Sequence, residues 1–574
     1  MRPDSVVRAP ALRRATLLAA GATAFVLATG LLRAVSLAWT CDDAWISFRY
    51  AKNFVSGTGL VFNPGERVEG YTNFLWVLMN APAFPLAIPP ETWANVMSLA
   101  SFAGIVLLLA RRAWVRAGET GGPLFPVPVA AAVVALNPDL QVWATGGLET
   151  AFFSFLLVAG VFLLSGPGGS RLRELAAGAT FGLAALTRPD GLLPAAVALA
   201  WLLFFRPGRR LAASLAFAAG AAALVVPHLL WRHAYYGGWL PNTYYAKSAW
   251  RAWWGQGLLY LGLFLRRNVV LLLGFPLVVL VGLQSRRRPG MKGTLDRLVP
   301  EAVLVSGIAV SYGLFVTRVG GDFMYARLLI PAVPLLGILL ELAVSTPALP
   351  AAFRAGPAAA ALLFPFLVAS PVPPGEFVDG VADERAAYTG DGVRLADQVG
   401  STLELLFAGL PVRVLAGGAE MRVAYRSGAA EVIEAHGLTD RRIARQPLAK
   451  RGRVGHERFA DLDYVLRERY VHFMFHPPAA DYPGIADVIP SITATHGPAV
   501  LWVMSWDPPL MEELARRGAR FPSFPETLDR YVAVMHTLSD ETVRRDYVRC
   551  RNFYFDRVAD PVREAPFKRR LGLP

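Results

Sequence analysis

Eleven apolar runs dominate the first two thirds of the chain, near residues 15–38, 92–110, 123–138, 149–165, 174–188, 190–205, 211–231, 268–284, 298–317, 325–345 and 356–371. A bilayer asks for about 17 to 25 apolar residues per crossing helix, and in hydrocarbon a helix satisfies all of its own backbone polar groups. The fifth and sixth runs are short for this. The pattern predicts a polytopic α-helical membrane protein with about 11 transmembrane helices. Composition agrees, since 54% of the 574 residues are hydrophobic and only 17% charged, outside the range of ordinary soluble enzymes.

The net charge of +14 would suit a nucleic-acid binder, but its distribution argues otherwise. Residues 1–372 hold 30 Lys and Arg against 15 Asp and Glu, and the remainder holds 27 against 28. The excess therefore belongs to the apolar part, where membrane topology explains it without nucleic acid. Alternate loops collect the basic residues: Arg2, Arg8, Arg13 and Arg14; Arg111, Arg112 and Arg116; Arg171 and Arg173; Arg206, Arg209 and Arg210; Arg286 to Arg288 with Lys292 and Arg297; and Arg354. The positive-inside rule puts these loops and the N-terminus in the cytoplasm. An odd number of spans then leaves residues 373–574 outside, with the first outer loop at 40–91. The basic N-terminus resembles a secretory signal, but no clear small-x-small site precedes Asp42, so an uncleaved first helix is expected. Cys41 and Cys550 are too few for a disulfide framework, although they could pair if both lie outside.

Most of the remaining basic residues cluster near the outer face: Arg49, Lys52, Arg67, Arg188, Arg232, Lys247, Arg251, Arg266, Arg267, Arg318 and Arg327. Headgroup contact and snorkelling account for a share of them, Arg266 and Arg267 first. The rest suggest a held anionic group. Ionisable residues are nearly absent from the middles of the spans, whereas a transporter needs them near the midplane.

The first loop reads "CDDAWISFRYAKNFVSGTGLVFNPGERVEGYTNFLW" at 41–76. As a helix, residues 42–55 place Asp42, Ile46, Arg49 and Asn53 on one stripe and Trp45, Phe48, Ala51 and Val55 on another. With Tyr50, those aromatic residues suit a membrane interface. Asp43 is turned about 100° from Asp42. The pattern favours Asp42 as a proton acceptor, with Asp43 capping the helix or steadying the loop. "SGTG" breaks the helix, Asn63-Pro64-Gly65 marks a turn, Glu66 and Glu69 form a second acidic pair, and Thr72 is a candidate cap for a second surface helix. A carboxylate facing a cationic site for a lipid phosphate suits base-assisted attack of a sugar hydroxyl on a lipid-phosphate sugar.

This loop resembles the first extracytoplasmic loop of GT-C polyprenyl-phosphate-sugar glycosyltransferases, most specifically the mycobacterial terminal arabinofuranosyltransferase family and its bacterial relatives. "GGLET" at 146–150, "TRPDG" at 187–191, "YYGGWLPNTYYAK" at 235–247 and "GGDFMYARLLIPAVPLL" at 320–336 follow the same pattern in order, as do "HGLTDRRIARQ" and "GHERFADLDYVL" further on. The resemblance implies a GT-C fold in a bacterial inner membrane, a polyprenyl-phosphate sugar donor, a glycan or other cell-envelope acceptor, and an outer C-terminal domain that holds glycan. It makes Asp42 or Asp43 the catalytic aspartate. Arg49, Lys52, Asn53, Glu66, Glu69, Tyr71, Asn73, Glu149, Arg188, Asp190, Asn242, Tyr244, Lys247, Asp322 and Arg327 become candidates for holding substrate.

Each later segment also has a plain structural reading. Arg188 and Asp190 fit a helix-Pro-helix turn, Tyr244 an aromatic belt, and Asp322 with Arg327 a simple ion pair. His228 reads as a hydrogen-bonded packing residue. No cofactor is expected, because no His, Cys and Asp cluster has metal-ligand spacing and no phosphate-binding Gly-rich loop is present. Since some GT-C enzymes use a divalent ion, a Mg or Mn site on Asp42, Asp43 and a distant acid stays open. Residues 373–574 read as a small mixed α/β domain, with strands at "VRVLAG" and "HFMFH", a helix at "DLDYVLRERY" and a loop at "HPPAADYPG". Two other readings remain: a non-catalytic membrane protein of the same fold in envelope or flagellar assembly, and a lipid-linked-sugar transporter.

Overall fold

The computed structural model describes residues 4–120, 127–166, 169–288, 291–388, 390–448, 451–475 and 488–574. Its chain forms two compact units that interleave in sequence. One comprises Met1–Ala44, Thr72–Trp239 and Ala249–Ala387, the other Trp45–Tyr71, Leu240–Ser248 and Tyr388–Pro574. A single cut at residue 372 therefore does not describe the chain, because two loop segments fold with the C-terminal residues.

The first unit is helical, and each of the eleven apolar runs is helical over most of its described length. Among the described residues, five helices are long and apolar enough to cross a membrane: Leu17–Ser36, Pro90–Gly118, Arg210–Tyr236, Trp254–Arg287 and Leu295–Val319. Shorter apolar helices include Thr150–Ser165, Ala332–Val344 and Ala351–Leu367. Within the 123–138 run the described helix is Val129–Leu136, only 8 residues long. Large apolar side chains stand exposed on several of these helices, among them Phe25, Leu211, Val279 and Leu367. A surface of that kind suits lipid. Helices Arg171–Thr187 and Arg210–Tyr236 touch through glycine: a Cβ on Gly178 would lie 1.9 Å from the Phe217 carbonyl oxygen, and one on Gly220 2.1 Å from that of Leu175. Small residues allow such backbone approach where lipid tails offer no hydrophobic drive for association.

The eighth run begins earlier than its apolar window. Helix Trp254–Asn268 continues through a 3₁₀ turn, Val269–Leu273, into Gly274–Arg287. Arg266 and Arg267 obscured this continuity. Arg267 Nη1 donates to Asp139 Oδ1 at 2.8 Å, and Asp139 Oδ2 also accepts from Asn268 Nδ2 at 2.9 Å and Tyr325 OH at 3.1 Å. Arg267 thus has a buried carboxylate partner in place of a headgroup. His228 is likewise not a hydrogen-bonded residue: it lies 4.2 Å from the Phe74 ring, and its buried Nδ1 finds no partner among the described residues.

Two short strands, β1 (Phe377–Val378) and β2 (Val381–Ala382), close the first unit as a hairpin. Ala382 exchanges backbone bonds with the segment after Gly321, donating to Phe323 O at 2.8 Å and accepting from Tyr325 N at 2.9 Å.

The second unit carries a five-stranded mixed sheet in the order β4-β3-β5-β7-β6, with β3 Arg413–Ala416, β4 Glu431–Glu434, β5 Phe473–Met474, β6 Thr493–His496 and β7 Ala499–Val503. β3 pairs in parallel with β4 and β5, and β7 antiparallel with β5 and β6. The sequence placed β3 and β5 correctly, and residues 462–468 are helical as read. The loop at "HPPAADYPG" lies outside the described residues.

Candidate active site

The loop helix spans Asp42–Val55, as its periodicity predicts. Its aromatic side is not an interface anchor: Trp45, Phe48 and Tyr50 are all fully buried. Trp45 lies 5.1 Å from the Tyr425 ring, with the Arg422 and Arg426 guanidinium groups 4.7 and 5.3 Å from its centroid. The cover comes from residues some 380 positions away, which local periodicity does not reveal. The next helix is Phe74–Asn80, preceded by Asn73 without a side-chain cap bond, so Thr72 does not cap it.

The two aspartates sit differently. Asp42 is buried, its Oδ1 accepting from the Asp43 amide at 2.8 Å and from the Cys41 thiol at 3.1 Å. Burial, reinforced by the Asp43 charge, pushes the Asp42 carboxyl above the usual carboxylate range. Asp43 keeps 22% of its side chain exposed, and its Oδ2 accepts from Arg327 Nη1 at 3.2 Å. Asp42 is the turned-in, bond-accepting member and Asp43 the one that solvent reaches. Cys41 and Cys550 are both free thiols.

Arg327 Nε also binds Asp322 Oδ2, so one guanidinium bridges two carboxylates. The two carboxylates together offset the charge of this mostly buried guanidinium. No described residue accepts from Arg327 Nη2. The turn carrying Arg327 is built for this placement. Gly320 and Gly321 have φ of 97° and 72°, and Ala326 has φ of 64°, a conformation costly for a residue with a Cβ. Tyr260 OH donates to Met324 O at 3.0 Å and accepts from Leu328 N at 3.1 Å, tying both ends of the turn.

A second guanidinium lies in the same electrostatic neighbourhood. Arg188, extended before Pro189, donates Nε to Asp190 Oδ1 at 3.1 Å and Nη2 to Asp190 Oδ2 at 2.8 Å. Tyr312 OH donates to Asp190 Oδ2 at 3.1 Å, so Asp190 supports Arg188 and does not cap a helix. Glu149 interacts electrostatically with both Arg188 and Arg327, and its Oε2 accepts from Asn73 Nδ2 at 3.0 Å. The first unit thus gathers Asp42, Asp43, Asn73, Glu149, Arg188, Asp190, Asp322 and Arg327. Among the described residues, no group of three His, Cys, Asp or Glu side chains is arranged to hold a metal.

The other candidates fall in the second unit, mostly in bracing positions. Arg49 is buried and donates to the carbonyls of Phe62, Ala429 and Ala430 at 2.8, 3.1 and 3.3 Å. Burial lowers its pKa to about 10. Asn53 bonds the carbonyls of Val61 and Phe62, Glu66 pairs with Arg469, and the Glu69 carbonyl accepts from Asn242 N at 2.9 Å. Tyr71 stands edge-on to Tyr50, and Lys52 is exposed, 5.5 Å from the Tyr425 ring. Asn242 Nδ2 is shared among the carbonyls of Gly437, Leu438 and Asp440, Tyr244 stands edge-on to Tyr245, and Lys247 is half-buried. Sequence reasoning missed Tyr260 and Tyr312. Their one signal was a hydroxyl inside an apolar helix, which requires a partner.

Comparison with solved structures defines the fold first. The chain shares the fold of ArnT from Cupriavidus metallidurans: the apo structure superposes with a TM-score of 0.55 over 84% of this chain and 98% of ArnT, at 16% identity. A structure of the same protein bound to undecaprenyl phosphate gives 0.50 over 72% and 86%, at 15% identity. In sequence, the chain is similar to the terminal β-(1→2)-arabinofuranosyltransferase of Mycobacterium tuberculosis, with 30% identity over 318 residues, 51% of this chain and 50% of the relative. The enzyme of that name from Corynebacterium glutamicum is 29% identical over 346 residues, 53% and 48%. The chain spans about half the length of the curated relatives it matches. No family model matches it. The resemblance to GT-C glycosyltransferases read from the sequence is borne out.

Proposed function

We propose that the protein is a membrane glycosyltransferase that moves a sugar from a polyprenyl-phosphate donor to a glycan or other cell-envelope acceptor. The observation that carries this reading is the pair of guanidinium groups, Arg188 and Arg327, fixed by carboxylates in one cluster. Each retains an N–H group, on Nη1 of Arg188 and Nη2 of Arg327, without an acceptor among the described residues. Two such donors suit a phosphate, and one of them, Arg327, is paired with Asp43, the more exposed aspartate of the pair. The similarity to arabinofuranosyltransferases and to ArnT, one structure of which holds undecaprenyl phosphate, supports the same chemistry.

In this reading the acceptor hydroxyl oxygen attacks the anomeric carbon while Asp43 takes its proton. The bond from that carbon to the phosphate oxygen breaks, its electron pair leaving on the polyprenyl phosphate, where Arg188 and Arg327 stabilise the growing charge. Asp42 accepts a hydrogen bond from the Asp43 amide and so fixes where the base stands. The reaction faces away from the cytoplasm, as the loop charges imply, and carriage of the sugar by a lipid fits that side. A transporter is disfavoured because the clustered charges lie at the ends of the apolar runs, whose middles are nearly free of ionisable residues.

Donor binding tests the reading. Arg327→Gln and Arg188→Gln should each weaken binding of a polyprenyl-phosphate sugar by about tenfold to a hundredfold, as loss of a charge-assisted bond does, and leave acceptor binding unchanged. Equal loss of both, or loss of neither, contradicts it.

A further inference from the structure

The second unit contains an open pocket of about 730 Å³ lined by Arg441, Arg442, Arg445, Gln446 and Pro447. Three of these five residues are cationic and none is acidic. The arginines are set, not loose. The Arg445 guanidinium lies 4.3 Å from the Tyr245 ring centroid and donates to Asn242 Oδ1 at 3.2 Å and Arg441 O at 3.3 Å. Arg442 lies 4.5 Å over the Tyr464 ring and pairs with Glu468, and Arg441 donates to Arg67 O at 2.9 Å.

The floor beneath them is rigid. Asp440 accepts from the Arg442 and Ile443 amides at 2.8 and 3.1 Å and from Tyr464 OH at 2.7 Å. Arg458, itself buried, ties Gln446 O, Ala246 O and Ser248 Oγ at 3.1, 2.6 and 2.9 Å. Stacked guanidinium planes on such a base lose little freedom when they bind, which favours recognition of a planar or tetrahedral oxyanion.

We propose that this pocket binds a phosphate ester, carried either by a soluble phosphorylated glycan or by a lipid headgroup. The two bonds of Arg445 run to neutral oxygens only, so its charge stays available to an anion. The volume exceeds what inorganic phosphate needs and lies in the range of organic ligands. This binding is independent of the transferase reaction, so its failure would leave that reading untouched.

The test uses the full chain in phosphatidylcholine nanodiscs, with calorimetric titration of pyrophosphate and of a phosphorylated disaccharide. Binding should be present, weaken with added salt, and fall about tenfold or more in the double variant Arg441→Glu with Arg445→Glu. Arg394→Glu, at an exposed arginine outside the pocket, should bind as the unaltered chain does. Adding phosphatidylglycerol separates the sources: suppression of pyrophosphate binding assigns the site to a lipid headgroup, and persistence assigns it to a soluble ligand. Absent binding, unchanged affinity in the folded double variant, or an equal loss in Arg394→Glu overturns the proposal.

Discussion

Two neighbouring aspartates acquire opposite environments because one points into the fold and the other toward Arg327. Burial raises the Asp42 pKa, so ionising Asp42 costs the folded state. The sign follows directly: the folded state is relatively favoured below the ordinary carboxylate pKa of about 3.9, and that advantage is lost as pH rises toward the folded value. Asp42→Asn removes the penalty while its amide oxygen still accepts the Asp43 amide. Its thermal midpoint in detergent should therefore exceed that of the unaltered chain at neutral pH, and the gap should close in acid. A constant gap, or a lower midpoint at neutral pH, contradicts the burial argument. Ala326 gives a second prediction. Its left-handed φ of 64° favours glycine, so Ala326→Gly should fold at least as well, whereas Ala326→Val should lower the midpoint through strain of about 1–3 kcal/mol.

Asp42 and Asp43 open the loop helix, whereas turns carry Arg188, Asp190, Asp322 and Arg327, and these turns are braced by side chains from elsewhere. Tyr260 ties the Arg327 turn from within an apolar helix, and Asp139 joins Arg267, Asn268 and Tyr325. Tyr260→Phe should loosen donor binding while costing only about 0.5–1.5 kcal/mol of stability. Asp139→Ala strands a mostly buried Arg267 and should destabilise by about 3–5 kcal/mol, read as a large fall in thermal midpoint. What the sequence revealed follows the same division. Local signals sufficed for helix Asp42–Val55, for the turn at Asn63-Pro64-Gly65, and for the paired Asp322 and Arg327, because each is decided within a few residues. The sequence could not show that Trp45 meets Tyr425, that Asn242 meets the carbonyls of 437–440, or that Arg327 meets Asp43. Those contacts join segments far apart in the chain, and no periodicity reports them. Arg49 illustrates the cost, since it shares the Asp42 stripe yet spends its donors on backbone carbonyls.

At the scale of the whole molecule, two units drawn from alternating stretches of one chain divide the work. The helical unit holds the acid and guanidinium cluster, while the unit with the mixed sheet and the arginine pocket also takes in two segments that interrupt the helical part in sequence. The loop charges predict that the N-terminus is cytoplasmic and residues 373–574 are not. A reporter fused after Pro574 that is active only outside the cytoplasm is the expected result, and activity only inside would remove the orientation on which the reaction depends. The central claim is that Asp43 accepts the proton of the acceptor hydroxyl. The direct measurement is turnover of a polyprenyl-phosphate sugar by purified, folded Asp43→Asn and Asp42→Asn. Asp43→Asn should bind donor normally and lose turnover by about 10²-fold or more, with Asp42→Asn losing less. Full activity in Asp43→Asn, or the larger loss in Asp42→Asn, would contradict the account.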